Sequence, residues 1–116
     1  MLGLKRKKKN PPSSIILPNR EAIIEALCEV YDPEIPVNIY ELGLIYDIII
    51  QDTGHVDINM TLTTPGCPVA QTFPGTVESA VNHVEHVDDC TVTLVWEPPW
   101  TQDLMTEAAK LQLGLL

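Results

Sequence analysis

Positive charge is scarce in this chain wherever a folded body would carry it. Beyond residue 9 only Arg20 and Lys110 are basic, against sixteen acidic residues, a balance of −14 inside an overall net charge of −9. A body so charged repels phosphates, so no nucleic acid partner is expected for it. Long apolar runs are also missing, which leaves no segment suited to crossing a bilayer as a helix, and no membrane association is expected. The opening residues MLGLKRKKKNPPSS have no apolar stretch after their charges and do not read as a secretory signal. Cysteine is sparse: Cys28, Cys67 and Cys90 are odd in number and far apart. They make no disulfide framework, so a reducing cytoplasm is the expected compartment. There is no CxxC pair, phosphate-binding loop, dinucleotide fingerprint or Ser/His/Asp pattern, and no internal repeat.

What is present is enough for one compact domain: 116 residues, 45% of them hydrophobic. Five of the seven basic residues are Lys5, Arg6, Lys7, Lys8 and Lys9. Residues 1–18 read as a disordered basic tail, suited to nucleic acid, an acidic partner or a targeting receptor, or serving only solubility. Residues 19–116 read as the folded domain.

Asn19 predicts a cap for a helix over 20–31, with Ile23, Ile24, Leu27, Val30 and Tyr31 on its inner face. The stretch PVNIYELG suggests a turn and a short helical piece from Asn38 to Gly43. Leu44–Gln51 is Ile-rich and reads as a strand, DTGH as a hairpin turn, and Val56–Thr63 as a second strand. In the latter Val56, Ile58, Met60 and Leu62 point inward, and Asp57, Asn59, Thr61 and Thr63 outward. After TTPGCP a helix runs to about Val84, in which Pro74 and Gly75 mark either a kink or the true start. Thr91–Trp96 is a third strand, and Thr101 is expected to cap a last helix to about Leu113. The order α-β-β-α-β-α predicts an α+β fold of two layers. Its mixed three-stranded sheet has a crossover helix before the third strand, with helices mainly on one face.

Cys67 lies between Pro65-Gly66 and Pro68 at the end of a strand. It is either a small apolar filler at the junction or a thiol held for chemistry. If a helix begins at Pro68, Cys67 is its N-cap, and the amides of the first turn favour thiolate over thiol. Cys28, on the apolar stripe of the first helix, and Cys90, after two aspartates, read as structural. His83 and His86, three apart near a helix end, read as a solvated pair rather than metal ligands. Asp32 and Glu34 are legible simply as a turn.

DPEIPVNIYELGLIYDI, MTLTTPGCPVAQTFPGTVESAV and VTLVWEPPWTQDLMTEAAKLQLG together resemble the metal–sulfur cluster biosynthesis family that includes SufT and PaaD. The resemblance runs from about residue 20 to the C-terminus and in order and spacing is nearest the SufT type. A cysteine-rich C-terminal region often found in PaaD types has no counterpart here. The resemblance implies an iron–sulfur-cluster-assembly domain whose reactive cysteine, and sole metal ligand, matches Cys67, with Thr63, Thr64, Asp32 and Glu34 matching positions around it. It further implies a transient iron–sulfur cluster, or iron, as cargo. Iron–sulfur assembly proteins and client apoproteins would be its partners. Four ligands are usual for a cluster, which makes a homodimer or a partner's sulfur part of this expectation. The carrier role is not enzymatic. Its rival is an adaptor that recognises clients or assembly factors with Cys67 not a ligand; a thiol redox enzyme would want a resolving cysteine close by.

Overall fold

The computed structural model describes residues 16–32, 35–63 and 72–115. The basic run 5–9, Glu34, Thr64 and Cys67 lie outside the described residues. The described elements are α1 (Arg20–Leu27), β1 (Ile45–Ile50), β2 (His55–Met60), α2 (Phe73–Asn82), β3 (Asp89–Leu94), a 3₁₀ turn (Gln102–Leu104) and α3 (Glu107–Gln112). Among the described residues no helix is long and apolar enough to cross a membrane.

The Asn19 side chain accepts hydrogen bonds from the Glu21 and Ala22 amides, at 2.8 and 3.3 Å, and so opens α1. The helix stops at Leu27, four residues short of the expected Tyr31. A competing pairing takes the chain: Tyr31 forms an antiparallel bridge with Asn38, and the Ile39 amide donates to the Val30 carbonyl at 2.8 Å. Residues 38–43 make a single helical turn rather than a helix. Asn38 Oδ1 accepts from the Glu41 amide at 2.8 Å. The turn closes where the amides of Gly43 and Leu44 donate to Tyr40 and Ile39, with Gly43 at φ +80°. This paired closure needs a left-handed residue, which glycine adopts without a Cβ clash.

The sheet order is β1-β2-β3. As expected, β1 and β2 are antiparallel around Gly54 (φ +89°), and β3 runs parallel to β2. Val56, Ile58 and Met60 are fully buried. They face α2, which packs on β3 and against α1. Ile23 and Leu27 of α1, Val77 and Val81 of α2, and Ile39, Leu42 and Leu44 of the intervening turn complete this core. Each fully buried aliphatic side chain contributes roughly 1.5–3 kcal/mol.

Two expectations need correction and one alternative is decided. Thr61 is not exposed: β2 ends at Met60, and Thr61, one residue on, is fully buried. Its amide donates to Leu44 O at 2.8 Å, across the entry to β1. The described crossover helix starts at Phe73 with Pro74 in its first turn, so Pro74 and Gly75 mark a start and not a kink. Cys67 and Pro68 lie outside the described residues. Nor does Thr101 cap a continuous last helix. Met105 is extended and buried, breaking the run into the 3₁₀ turn and α3. Thr106 caps α3 by accepting from the Ala109 amide at 3.1 Å, while its hydroxyl donates to the Glu41 carboxylate.

Opposite residues on paired strands share a sheet face. The face away from α1 and α2 therefore carries Asp47 and Ile49 of β1, Asp57 and Asn59 of β2, and Thr91 and Thr93 of β3, all at least partly exposed. Among the described residues, the segment 95–104 comes over one end of it. The outer edge of β3 is occupied by a side chain, since the Val92 amide donates to the Glu78 carboxylate of α2 at 2.9 Å.

Candidate functional site

The segment that carries Cys67 joins β2 to α2. It is anchored at both ends by buried residues: Thr61 and Leu62 lead into Thr63, which is half-buried, and Phe73 is buried in the first turn of α2. Residues 64–71 lie outside the described residues, so of the five expected site residues the structure places two. Thr63 sits at the exit of β2. Asp32 is half-buried in the turn after α1, where its carboxylate accepts from the Ile35 amide at 3.1 Å and its own amide faces Val37 O at 3.4 Å. The reading of Asp32 as a turn former is thus met by its hydrogen bonding.

The two described cysteines are held as thiols. Cys90 is buried on β3, and burial, reinforced by Glu78, Asp89 and Asp57, pushes its pKa up to about 12. Cys28 at the end of α1 is also raised, by burial first and then by Glu41, Glu29 and Glu25. A thiolate ligand is disfavoured at both. His83 and His86 are exposed and engaged locally: His83 Nδ1 lies 2.7 Å from Ser79 O of its own helix, and His86 Nε2 lies 3.9 Å from Glu85. Among the described residues no group of three or more His, Cys, Asp or Glu side chains is arranged to hold a metal ion.

Sequence reasoning missed Tyr46 and Thr61. The β1–β2 register slips between Ile45 and Asp47. Such a bulge re-aims a side chain, and the Tyr46 hydroxyl donates to Pro98 O at 2.7 Å, tying β1 to the segment after β3. Burial raises the Tyr46 pKa, the nearby Thr61 side chain opposes this, and Glu97 adds to the rise. Thr61 Oγ1 is close enough to favour the ionised phenol, yet it has no hydrogen-bond partner within bonding geometry. A buried hydroxyl in that condition is uncommon. Nothing in the spacing of LIYDI signals the bulge, and Thr61 follows the same odd-numbered pattern as its outward neighbours.

Tyr46 also lines a hollow of about 600 Å³ on the open sheet face, over Asn59 and beneath the segment 95–98 and Leu104. A smaller one of about 160 Å³ lies between β1 and the start of α1, and the two share Ile45, Tyr46 and Asp47.

An antiparallel hairpin whose second strand leads through a cysteine-bearing segment and a crossover helix into a parallel third strand defines a class of small α+β domain. A solved structure titled domain of unknown function DUF59, from Bacillus anthracis, matches it at a TM-score of 0.76 and 35% identity, covering 83% of this chain and 92% of that one. The particular family follows from sequence: residues 20–94 match the iron–sulfur cluster assembly protein family, and the chain belongs to it. Among its relatives is an Fe-S protein maturation auxiliary factor of Porphyromonas gingivalis, 45% identical over 86% of this chain and 95% of the relative. The Fe-S protein maturation auxiliary factor SufT of Staphylococcus aureus is 38% identical over 74% and 98%.

Proposed function

We propose that this protein serves iron–sulfur protein maturation as a transient carrier, binding a cluster or iron through the Cys67 thiolate and releasing it to client apoproteins. The observation that carries this reading is the match of residues 20–94 to the iron–sulfur cluster assembly protein family. Cys90, pushed up to about 12, and Cys28, also raised, are poorly suited to serve as thiolate ligands, which supports assigning that role to Cys67. Its relatives bear the names of maturation auxiliary factors, which supports the same reading.

A cluster commonly takes four protein ligands. One Cys67 per chain therefore calls for a second copy, a partner or a small thiol to complete the site. Incomplete ligation suits transfer, because an acceptor cysteine can attack the open position. Asp32, Glu34, Thr63 and Thr64 are assigned to the surroundings of the cargo. The cargo is passed by ligand exchange, the acceptor's iron–sulfur bond replacing that of Cys67, without conversion of a substrate, so the proposed role is that of a carrier and not of an enzyme. The proposed compartment is a reducing one, the cytoplasm, a reading that the free Cys28 and Cys90 support.

Anaerobic reconstitution with iron and sulfide, followed by size-exclusion chromatography, tests this. The expected result is a brown chromophore, on a dimer or a thiol adduct, that is lost in Cys67→Ser while circular dichroism shows the fold intact. A colourless protein that still captures assembly factors would refute the carrier and establish the adaptor.

A further inference from the structure

The open sheet face is short of cations. Asp47 and Glu97 rim the larger hollow, and among the described residues neither has a basic side chain within ion-pair distance. Asp47 receives only the Asn59 side-chain amide at 3.2 Å. From residue 10 onward the chain offers only Arg20 and Lys110, and Arg20 is committed to Ile48 O at 2.9 Å. Within the hollow the walls are apolar, formed by Ile45, Val95, Pro98 and Leu104. An apolar trough with carboxylates at its rim matches the lysine side chain, whose methylenes lie on hydrocarbon while the ammonium stays at the wet edge.

The chain's own lysines arrive at this place. Arg20, the first residue of α1, lines the smaller hollow, which shares Ile45, Tyr46 and Asp47 with the larger one. Ile16 is four residues before Arg20, and Lys9 is seven before Ile16. Seven extended residues span about 23 Å, while strands about 4.8 Å apart set β1 and β3 only about 10 Å from each other. From α1, whose first residue bonds to β1, the tether is long enough to cross the sheet.

We propose that the basic segment Lys5–Lys9 docks in cis over the β1 edge into the acidic hollow of the open sheet face. Lysine stems lie on Leu104 and Val95, and ammonium groups meet Asp47 and Glu97. Tethering sets an effective concentration on the order of millimolar, so an intrinsic affinity of that order suffices for substantial occupancy. Docked there, the segment excludes any other cationic partner from the hollow until salt or a stronger competitor displaces it.

Zero-length carbodiimide cross-linking of the dilute full-length chain, mapped by peptide mass spectrometry, tests the proposal. Supporting results are intrachain bonds from Lys5, Lys7, Lys8 or Lys9 to Asp47 or Glu97 that fall at least about fivefold near 1 M salt, where the screening length is only about 3 Å. In Asp47→Asn/Glu97→Gln these bonds disappear while links elsewhere persist. Bonds distributed over Glu21, Glu25, Glu29 and Glu85, acids that do not line the hollow, would overturn it. So would bonds found only in cross-linked dimers, or no bonds at all. The salt series needs no variant, so it decides the matter even if the double substitution impairs folding.

Discussion

Replacing Gly43 by alanine is the sharpest test of how the 3₁₀ turn seats on the sheet. A Cβ at residue 43 would stand 2.2 Å from the Leu104 carbonyl oxygen, 2.7 Å from its carbon and 2.9 Å from Leu104 Cβ. Two of these neighbours are backbone, so no rotamer change relieves the overlap. The left-handed φ of +80° adds about 1–2 kcal/mol for any residue with a Cβ. Displacing the 3₁₀ turn adds about 1–3 kcal/mol more, by analogy with an overpacked core. The expected loss of about 2–5 kcal/mol is a large part of the roughly 5–15 kcal/mol that a domain has. Two other glycines calibrate it. Gly54→Ala meets the same φ penalty at +89° but softer contacts of 3.2 and 3.3 Å, and should lose about 1–2 kcal/mol. Gly75→Ala has nothing within 4 Å and lies in α2, so it should gain about 0.4–1 kcal/mol. Urea unfolding of the three variants gives the series directly. If Gly43→Ala cost no more than Gly54→Ala, Leu104 would not overlie Gly43, and the wall of the larger hollow would have to be redrawn.

Thr61→Val removes a buried hydroxyl without a partner, so it is expected to stabilise the fold by about 1 kcal/mol and to raise the Tyr46 pKa, which Thr61 now opposes. Urea unfolding and ultraviolet titration of the phenol read the two effects, and destabilisation would mean that the hydroxyl has a partner in solution. Cys90 predicts a pH dependence at the alkaline end. Its thiol titrates near 9.0 when unfolded and at about 12 when folded, so below pH 9 it contributes no slope. Between these values the unfolded chain has lost a proton that the native chain keeps, and stability falls by up to about 1.4 kcal/mol per pH unit, levelling off above the folded pKa. Cys90→Ala should be less stable near neutrality but lack that share of the slope; an unchanged slope would show that the thiol is not responsible.

How much of this was legible in the sequence depends on whether local chemistry or long-range competition decided each feature. The hairpin around Gly54, the inward set Val56, Ile58 and Met60, and the parallel third strand follow from period and turn chemistry, and the structure has them. The early end of α1 does not follow, because the pairing of Tyr31 with Asn38 opposes a helical pattern that continues through Val30 and Tyr31. The break at Met105 likewise depends on a buried pocket and on Glu41, 64 residues earlier in the chain than Met105. At the candidate site, residue types pointed to Cys67, whereas the protonated state of Cys90 required the neighbourhood of Glu78 and Asp57, which comes from packing α2 on β3 and pairing β3 with β2. Tyr46 and Thr61 escaped notice since neither the bulge at Tyr46 nor the burial of Thr61 leaves a mark on residue composition.

The Glu78 carboxylate seated on the Val92 amide has a consequence for association. A visiting strand that sought to lengthen the sheet on that side would first have to evict a bound anion from the very donor it needs. Any pairing of two copies through this border is thereby penalised.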